Sequence, residues 1–512
     1  MTGLGRGAAR LRCAVGAVAF GLATSGTALA QPADTLRVGN WDFPPGRGNP
    51  HSTVVSGTPQ IYIWPAIYDT LTSINNKGEA SPWLATAWKN IDPLTWQMTL
   101  RQGVKFHNGE ILTPRTITDM FAWFTSEAGK PSVAAAGMRF VTSVVAIDDK
   151  TLEFKTSAPR PIFPNLIAGV MVPPEKAWAE LGPEKFVVTP IGSGAYRTTA
   201  WTNEGVKLEA FADAWNKPKI PRVEILRLAE QASRLQALLS GQIDVMISTQ
   251  PDEVKTIQAA GGKVDMAPAP ALMQLGFVLE NVKAGVDNTM LKDKRVRQAL
   301  NYAVNKQAIN DSLLGGTWRL NSQFSAPHIF GYNHDLKPYE YDPAKAKSLL
   351  AEAGYPNGFS IKGEVRSFQD MWGAVAQDLD KVGVKLEFQN VQQAEWLRKF
   401  LATSWDYQTF GVELGWGAEL DSNRMAFFQS CRKTPQPHYC NKDLMALHDA
   451  ADVEFDVEKR RKILQELMAK MREDASVIFL YEQVDLVGLT RRVQGFRSVN
   501  RNFQYHEMSL AN

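Results

Sequence analysis

The sequence predicts a mixed α/β protein built as two lobes. Three observations carry this expectation. Strand-like and helix-like segments alternate along the whole chain, the pattern of layered α/β folds. About 480 residues remain once the first 30 are set aside, more than one hydrophobic core holds. Two long extended runs, residues 266–282 (MAPAPALMQLGFVLENV) and 476–490 (SVIFLYEQVDLVGLT), are placed to cross between lobes.

The first 30 residues read as a secretory leader. Arg6, Arg10 and Arg12 precede an apolar run of 11 residues, 13–23, and Ala28-Leu29-Ala30 supplies an A-x-A cleavage site. A membrane-spanning helix needs about 20 apolar residues, so this run is too short to anchor the chain. The expectation is cleavage after Ala30 and a soluble exported protein. The leader holds three of the 56 basic residues and none of the 53 acids, leaving 53 against 53. A neutral chain without a Lys/Arg run lacks the electrostatic footprint of a nucleic-acid binder.

The elements come in order. Leu36–Asn40 opens as a strand. Thr113-Pro114 caps a helix through RTITDMFAWF, with proline at its first turn. RLQALLSGQIDVMI gives a helix ending at Gly241 and a strand from Ile243 to Ile247. Asp293 caps one long helix through Val296, Leu300, Ala303 and Val304 to Gly315-Gly316. Asp342 and Pro343 start another helix that Gly354 ends, and DVEKRRKILQELMAKM is a late amphipathic helix. Cys431 and Cys440 are the two cysteines outside the leader, and a lone close pair in an exported protein reads as a disulfide. With His438 as the one further ligand between them, the loop is too poor for a metal. His107, in KFHNG, reads as a structural histidine. No HExxH, GxSxG or phosphate loop is present, and neither cofactor nor metal is expected.

Five blocks together resemble the family 5 solute-binding proteins of bacterial ABC importers: LTWQMTLRQGVKFHNGEILTPRTI (94–117), PIGSGAYR (190–197), ALLSGQIDV (237–245), VRQALNYAVNKQAI (296–309) and YDPAKAKSLLAEAGYPNGF (341–359). They run in the family's order. The resemblance implies the periplasmic-binding-protein fold, with two hinge strands and an extra subdomain, about 70–190, in the first lobe. The first lobe then takes 31–272 plus 486–512, and the second takes 273–485. It implies a monomeric binding protein, not an enzyme, that captures a solute and delivers it to an inner-membrane permease and its ATPases.

The resemblance also marks candidate ligand residues. In GVELGWGAELD (411–421), Gly415-Trp416 match the family's G-W, and Glu419 stands where peptide-binding members carry an Asp for the ligand's amino terminus. Asp421 is the other candidate carboxylate, and Trp416 a wall of the pocket. Arg366, in VRSF, stands where dipeptide-binding members carry an Arg for the ligand's carboxylate, and Phe368 replaces their tyrosine. A guanidinium fork suits a carboxylate because it donates two parallel hydrogen bonds. Tyr62 and Trp64 are aromatic candidates from the first lobe, with core packing as their competing role. A short peptide or peptide-like zwitterion is the expected ligand. An oligosaccharide, opine, nickel complex or haem is the alternative on the same fold, and a secreted glycosidase using Glu413, Glu419 or Asp421 is the alternative outside it.

Overall fold

The computed structural model describes residues 34–44, 46–52, 60–415, 421–499 and 501–511. The leader therefore lies outside the described residues, as do Trp416 and Glu419. The chain enters on β1 (Thr35–Asn40), whose Leu36 and Val38 are fully buried. An inserted layer comes next. Strands β2 (Ala85–Asp92), β3 (Thr95–Leu100), β4 (Val141–Ala146) and β5 (Thr151–Thr156) form an antiparallel sheet in the order β2-β3-β5-β4. Helix α1 (Pro114–Thr125) starts at the expected Thr113 cap, which forms a capping box with Thr116, and buries Ile117, Met120, Phe121 and Phe124. These side chains belong to a core of their own, drawn from residues 71–172.

The chain then returns to the main sheet through β6 (Tyr196–Trp201), β7 (Gly205–Ala210) and β8 (Arg222–Arg227). Helix α2 (Gln231–Leu239) stops before Gly241, whose φ of +73° takes the left-handed conformation expected past a helix end. The strand behind it, β9, is shorter than its buried surroundings and pairs only over Val245–Met246. The first extended run is β10 (Lys263–Phe277).

The single helix expected from Asp293 to Gly315 is two helices, α3 (Lys294–Ala303) and α4 (Lys306–Leu313). Val304 is extended between them, and the Asn305 side chain caps α4. The break is held from a distance: Asp378 accepts the Asn305 N–H at 2.8 Å. The buried Lys306 ammonium bonds the Asn301 carbonyl at 2.7 Å. Helix α5 (Pro343–Glu352) keeps its expected Asp342 cap. Next come β11 (Phe359–Val365), α6 (Gln369–Asp380), β12 (Val384–Asn390), α7 (Gln393–Phe400) and β13 (Thr409–Gly415). The late amphipathic helix is α8 (Val457–Asp474), which buries Leu464, Leu467 and Met468, and the second extended run is β14 (Val477–Leu489). Cys431 and Cys440 are joined as a disulfide.

Among the described residues the main sheet has eleven strands: ten on the path β12-β11-β13-β10-β14-β9-β1-β8-β7-β6, and the two-residue strand Arg319–Leu320, which pairs with β14 off that path. Its halves serve different cores. One core joins residues 36–247 to the tail from Val487 to Met508, and the other is drawn from Met273 to Tyr481. The paired strands β10 and β14 are the junction, antiparallel from Lys263 opposite Leu489 to Gly276 opposite Val477. Their register slips between Pro268–Val484 and Leu272–Glu482, so four residue steps on β10 face two on β14. Such a bulge interrupts the ladder and bends the strand at the point where one core gives way to the other.

Candidate ligand-binding site

Strands β11 and β13 are parallel neighbours, paired at Gly363–Thr409 and Glu364–Phe410. Their carboxyl ends therefore leave the sheet at one edge, the position where α/β sheets hold ligands. β11 runs into Arg366 and Phe368. β13 runs into the segment that carries Trp416 and Glu419. A Cβ on Gly411 would fall 2.9 Å from Val365 and 2.7 Å from the Trp372 ring, so only glycine lets the two strand ends pack this closely.

Helix α7 covers this edge. The Arg366 guanidinium lies over the Trp396 ring, 5.1 Å from its centroid. The Trp396 indole N–H donates to the Gly411 carbonyl at 3.2 Å, and its ring stacks on Phe400 at 4.9 Å. One turn away, Lys399 forms an ion pair with the buried Glu364. Burial raises the Glu364 carboxyl pKa, and Lys399 opposes that rise. The helix is thus fastened to both strands, and Trp396 fixes the plane on which Arg366 rests. The sequence reading missed Trp396; its local signal is a single tryptophan on a short amphipathic helix, QAEWLRKF.

Phe368 holds a left-handed backbone, φ 55°, immediately before α6. A bulky residue there is strained, and such strain collects at functional sites. Its ring meets Trp318 edge-on at 5.1 Å. Asp421 is only 1% exposed. One of its oxygens accepts the Arg424 N–H at 3.1 Å, capping the short helix Ser422–Met425. The other pairs with Arg460, which is also buried and donates to the Ala451 carbonyl at 2.8 Å. The side chain of Glu413 lies outside the described set.

The first-lobe aromatics are inside the core. Trp64 is fully buried and donates to the Arg47 carbonyl at 2.8 Å. Tyr62 is 4% exposed, packs on Phe503 at 5.1 Å, and its carbonyl accepts the Tyr505 hydroxyl at 2.7 Å. The GSG turn nearby is built for closeness. A Cβ on Gly192 would sit 2.0 Å from the Ile67 carbonyl oxygen. His107 brackets the turn, with Nε2 3.0 Å from the Gly194 carbonyl and Nδ1 accepting the Gly192 N–H at 3.2 Å. Burial lowers the His107 pKa to about 4, which fits a neutral structural ring. Among the described residues, no group of three or more His, Cys, Asp or Glu is arranged to hold a metal ion.

Residues 79–437 match the sequence profile of the bacterial extracellular solute-binding proteins, family 5. The chain belongs to this family. A curated relative, the dipeptide-binding protein of Escherichia coli (strain K12), is 26% identical over 465 residues, covering 82% of this chain and 84% of the relative. The glutathione-binding protein GsiB of Pectobacterium atrosepticum is 28% identical over 309 residues, and the match spans only 58% of either chain. Among solved structures, HbpA2 from Haemophilus parasuis superposes with a TM-score of 0.81 at 22% identity, covering 93% of this chain and 100% of that one. The family 5 assignment and this likeness agree with the two-lobed α/β architecture described above. No helix among the described residues of this family 5 protein is long and apolar enough to cross a membrane.

Proposed function

We propose that this family 5 protein captures a short peptide or peptide-like zwitterion outside the inner membrane and delivers it to an ABC permease driven by ATPases. The observation that carries this is the shared edge of β11 and β13. The two strands are adjacent and parallel, β11 ends at Val365 just before Arg366 in the chain, and β13 ends at Gly415 just before Trp416. In this reading Arg366 grips the ligand carboxylate, Glu419 pairs with its ammonium, and Trp416 walls the pocket. Glu419 is favoured over Asp421 because Asp421 is already committed to Arg460 and a helix end. The dipeptide- and glutathione-binding relatives support a peptide-like ligand.

The bulge between β10 and β14 is the proposed hinge, dividing a first lobe of 31–272 plus 486–512 from a second of 273–485. Ligand contacts made only in the closed arrangement shift the population toward it. Residues 1–30 are proposed to be removed on export, leaving a monomer. Arg366→Ala and Glu419→Ala, each titrated with dipeptides by calorimetry, test the clamp. Each is expected to weaken binding by about tenfold or more, the scale of a hydrogen bond to a charged group. Undiminished affinity in both variants would sink it.

A further inference from the structure

A cavity of about 180 Å³ lies between the inserted layer and the second half of the chain. Arg160 enters it from the insert, and Arg424, Arg432 and Arg460 from the other side, with the carboxylates of Asp421 and Asp452 in its wall. Those two acids are taken: Asp421 pairs with Arg460, and Asp452 with Arg432. Among the described residues, no carboxylate forms an ion pair with Arg160 or with the Arg424 side chain. The Arg160 Nε is buried without a hydrogen-bond partner among them. Its guanidinium lies over the Phe140 ring at 5.2 Å, and its backbone is held between Pro159 and Pro161. Burial, and the Arg424 charge facing it, both lower the Arg160 pKa. His448, also in the wall, has its pKa lowered to about 4, first by burial, and so adds no charge near neutrality.

Arg432 also pairs with Asp449 outside the wall, so Arg160 and Arg424 are the two guanidiniums at this partly enclosed space left without an ion-pair partner among the described residues. Like charges brought together in a low-dielectric setting repel, and an unpaired buried donor costs free energy. A bound dianion removes both penalties at once. We propose that this cavity is a binding site for a small doubly charged oxyanion of the phosphate or sulfate class, held by Arg160 and Arg424. Arginine forks match the oxygen spacing of such ions. The ion would tie the inserted layer to the second half of the chain. Arg366, Phe368, Trp396 and Gly411 of the β11–β13 edge are not in its wall, and its test does not depend on which solute the cleft takes.

The test is calorimetric titration of the full mature chain with inorganic phosphate, with acetate as the singly charged comparison, at fixed ionic strength. Saturable phosphate binding is expected, with acetate weaker. Arg160→Gln and Arg424→Gln should each reduce phosphate affinity by about tenfold or more, the scale of one charge-assisted contact. Arg115→Gln, an exposed arginine elsewhere on the insert, should leave it unchanged. Arg424 is itself exposed, so its variant keeps the test valid should Arg160→Gln fold poorly. No saturable binding to the native chain, acetate binding as tightly as phosphate, or an unchanged affinity in Arg424→Gln would each overturn the proposal.

Discussion

Two sets of candidate ligand residues meet different fates. Tyr62 and Trp64, from the first half, are consumed by its core. Arg366 and Phe368, from the second, stand just past a strand end, one on a tryptophan face and one in a strained turn. The difference lies in how the chain continues from each motif. QIYIWPAIYDTL folds into short helical turns that the C-terminal tail covers at Phe503 and Tyr505. VRSF leaves a central strand at its carboxyl end, the position where parallel sheets hold ligands. An aromatic cluster in a sequence therefore says less about a site than the end of a parallel strand does.

Substitutions at the two sets should separate them cleanly. Trp64→Ala should have the largest effect on stability, about 3–5 kcal/mol, because it empties a fully buried indole site. Chemical denaturation reads this, and a loss below about 1 kcal/mol would mean that Trp64 is not core. Asp421→Ala should cost a similar amount, about 3–5 kcal/mol, by leaving Arg460 buried and unpaired. A near-neutral result would free Asp421 for the ligand and weaken the preference for Glu419. Arg366→Ala should do the reverse of Trp64→Ala. Its loss of stability should be smaller than that of Trp64→Ala, while dipeptide affinity falls by about tenfold or more.

The smallest predicted effect concerns the hinge. Glu482, opposite Leu272 at the bulge, has its pKa pushed to about 8, chiefly by burial. A carboxyl raised in the folded state holds a proton that the unfolded chain has already released. Its contribution is complete below the ordinary carboxyl range and is lost as pH rises toward about 8. Glu482→Gln should remove this part of the pH dependence and be relatively more stable than the native chain at pH 8 than at pH 5. Parallel denaturation curves at the two pH values check it; an unchanged slope would mean that Glu482 is ionised in the folded protein.

The parts of this fold that could be read from the sequence are those set by neighbours in the chain. Thr113, Asp342 and Gly241 mark helix ends through contacts a few residues long, and the two extended runs are apolar enough to stand out as β10 and β14. The break at Val304 was hidden because Asp378, 73 residues from Asn305, holds it. Trp396 was hidden for the same reason. Its importance comes from Arg366 and Gly411, which reach it only once three separate segments have packed. The Asp421–Arg460 pair likewise spans 39 residues and has no local signature.

Everything proposed for the cleft turns on Arg366 binding the carboxylate of a zwitterionic ligand. A thermodynamic cycle tests this contact without intermediaries: calorimetry of one dipeptide and its C-terminal amide against the native chain and Arg366→Ala. The native chain should lose about tenfold or more on amidation, and Arg366→Ala should bind acid and amide alike. Equal binding of acid and amide by the native chain, or the same loss on amidation in the variant, would contradict the assignment.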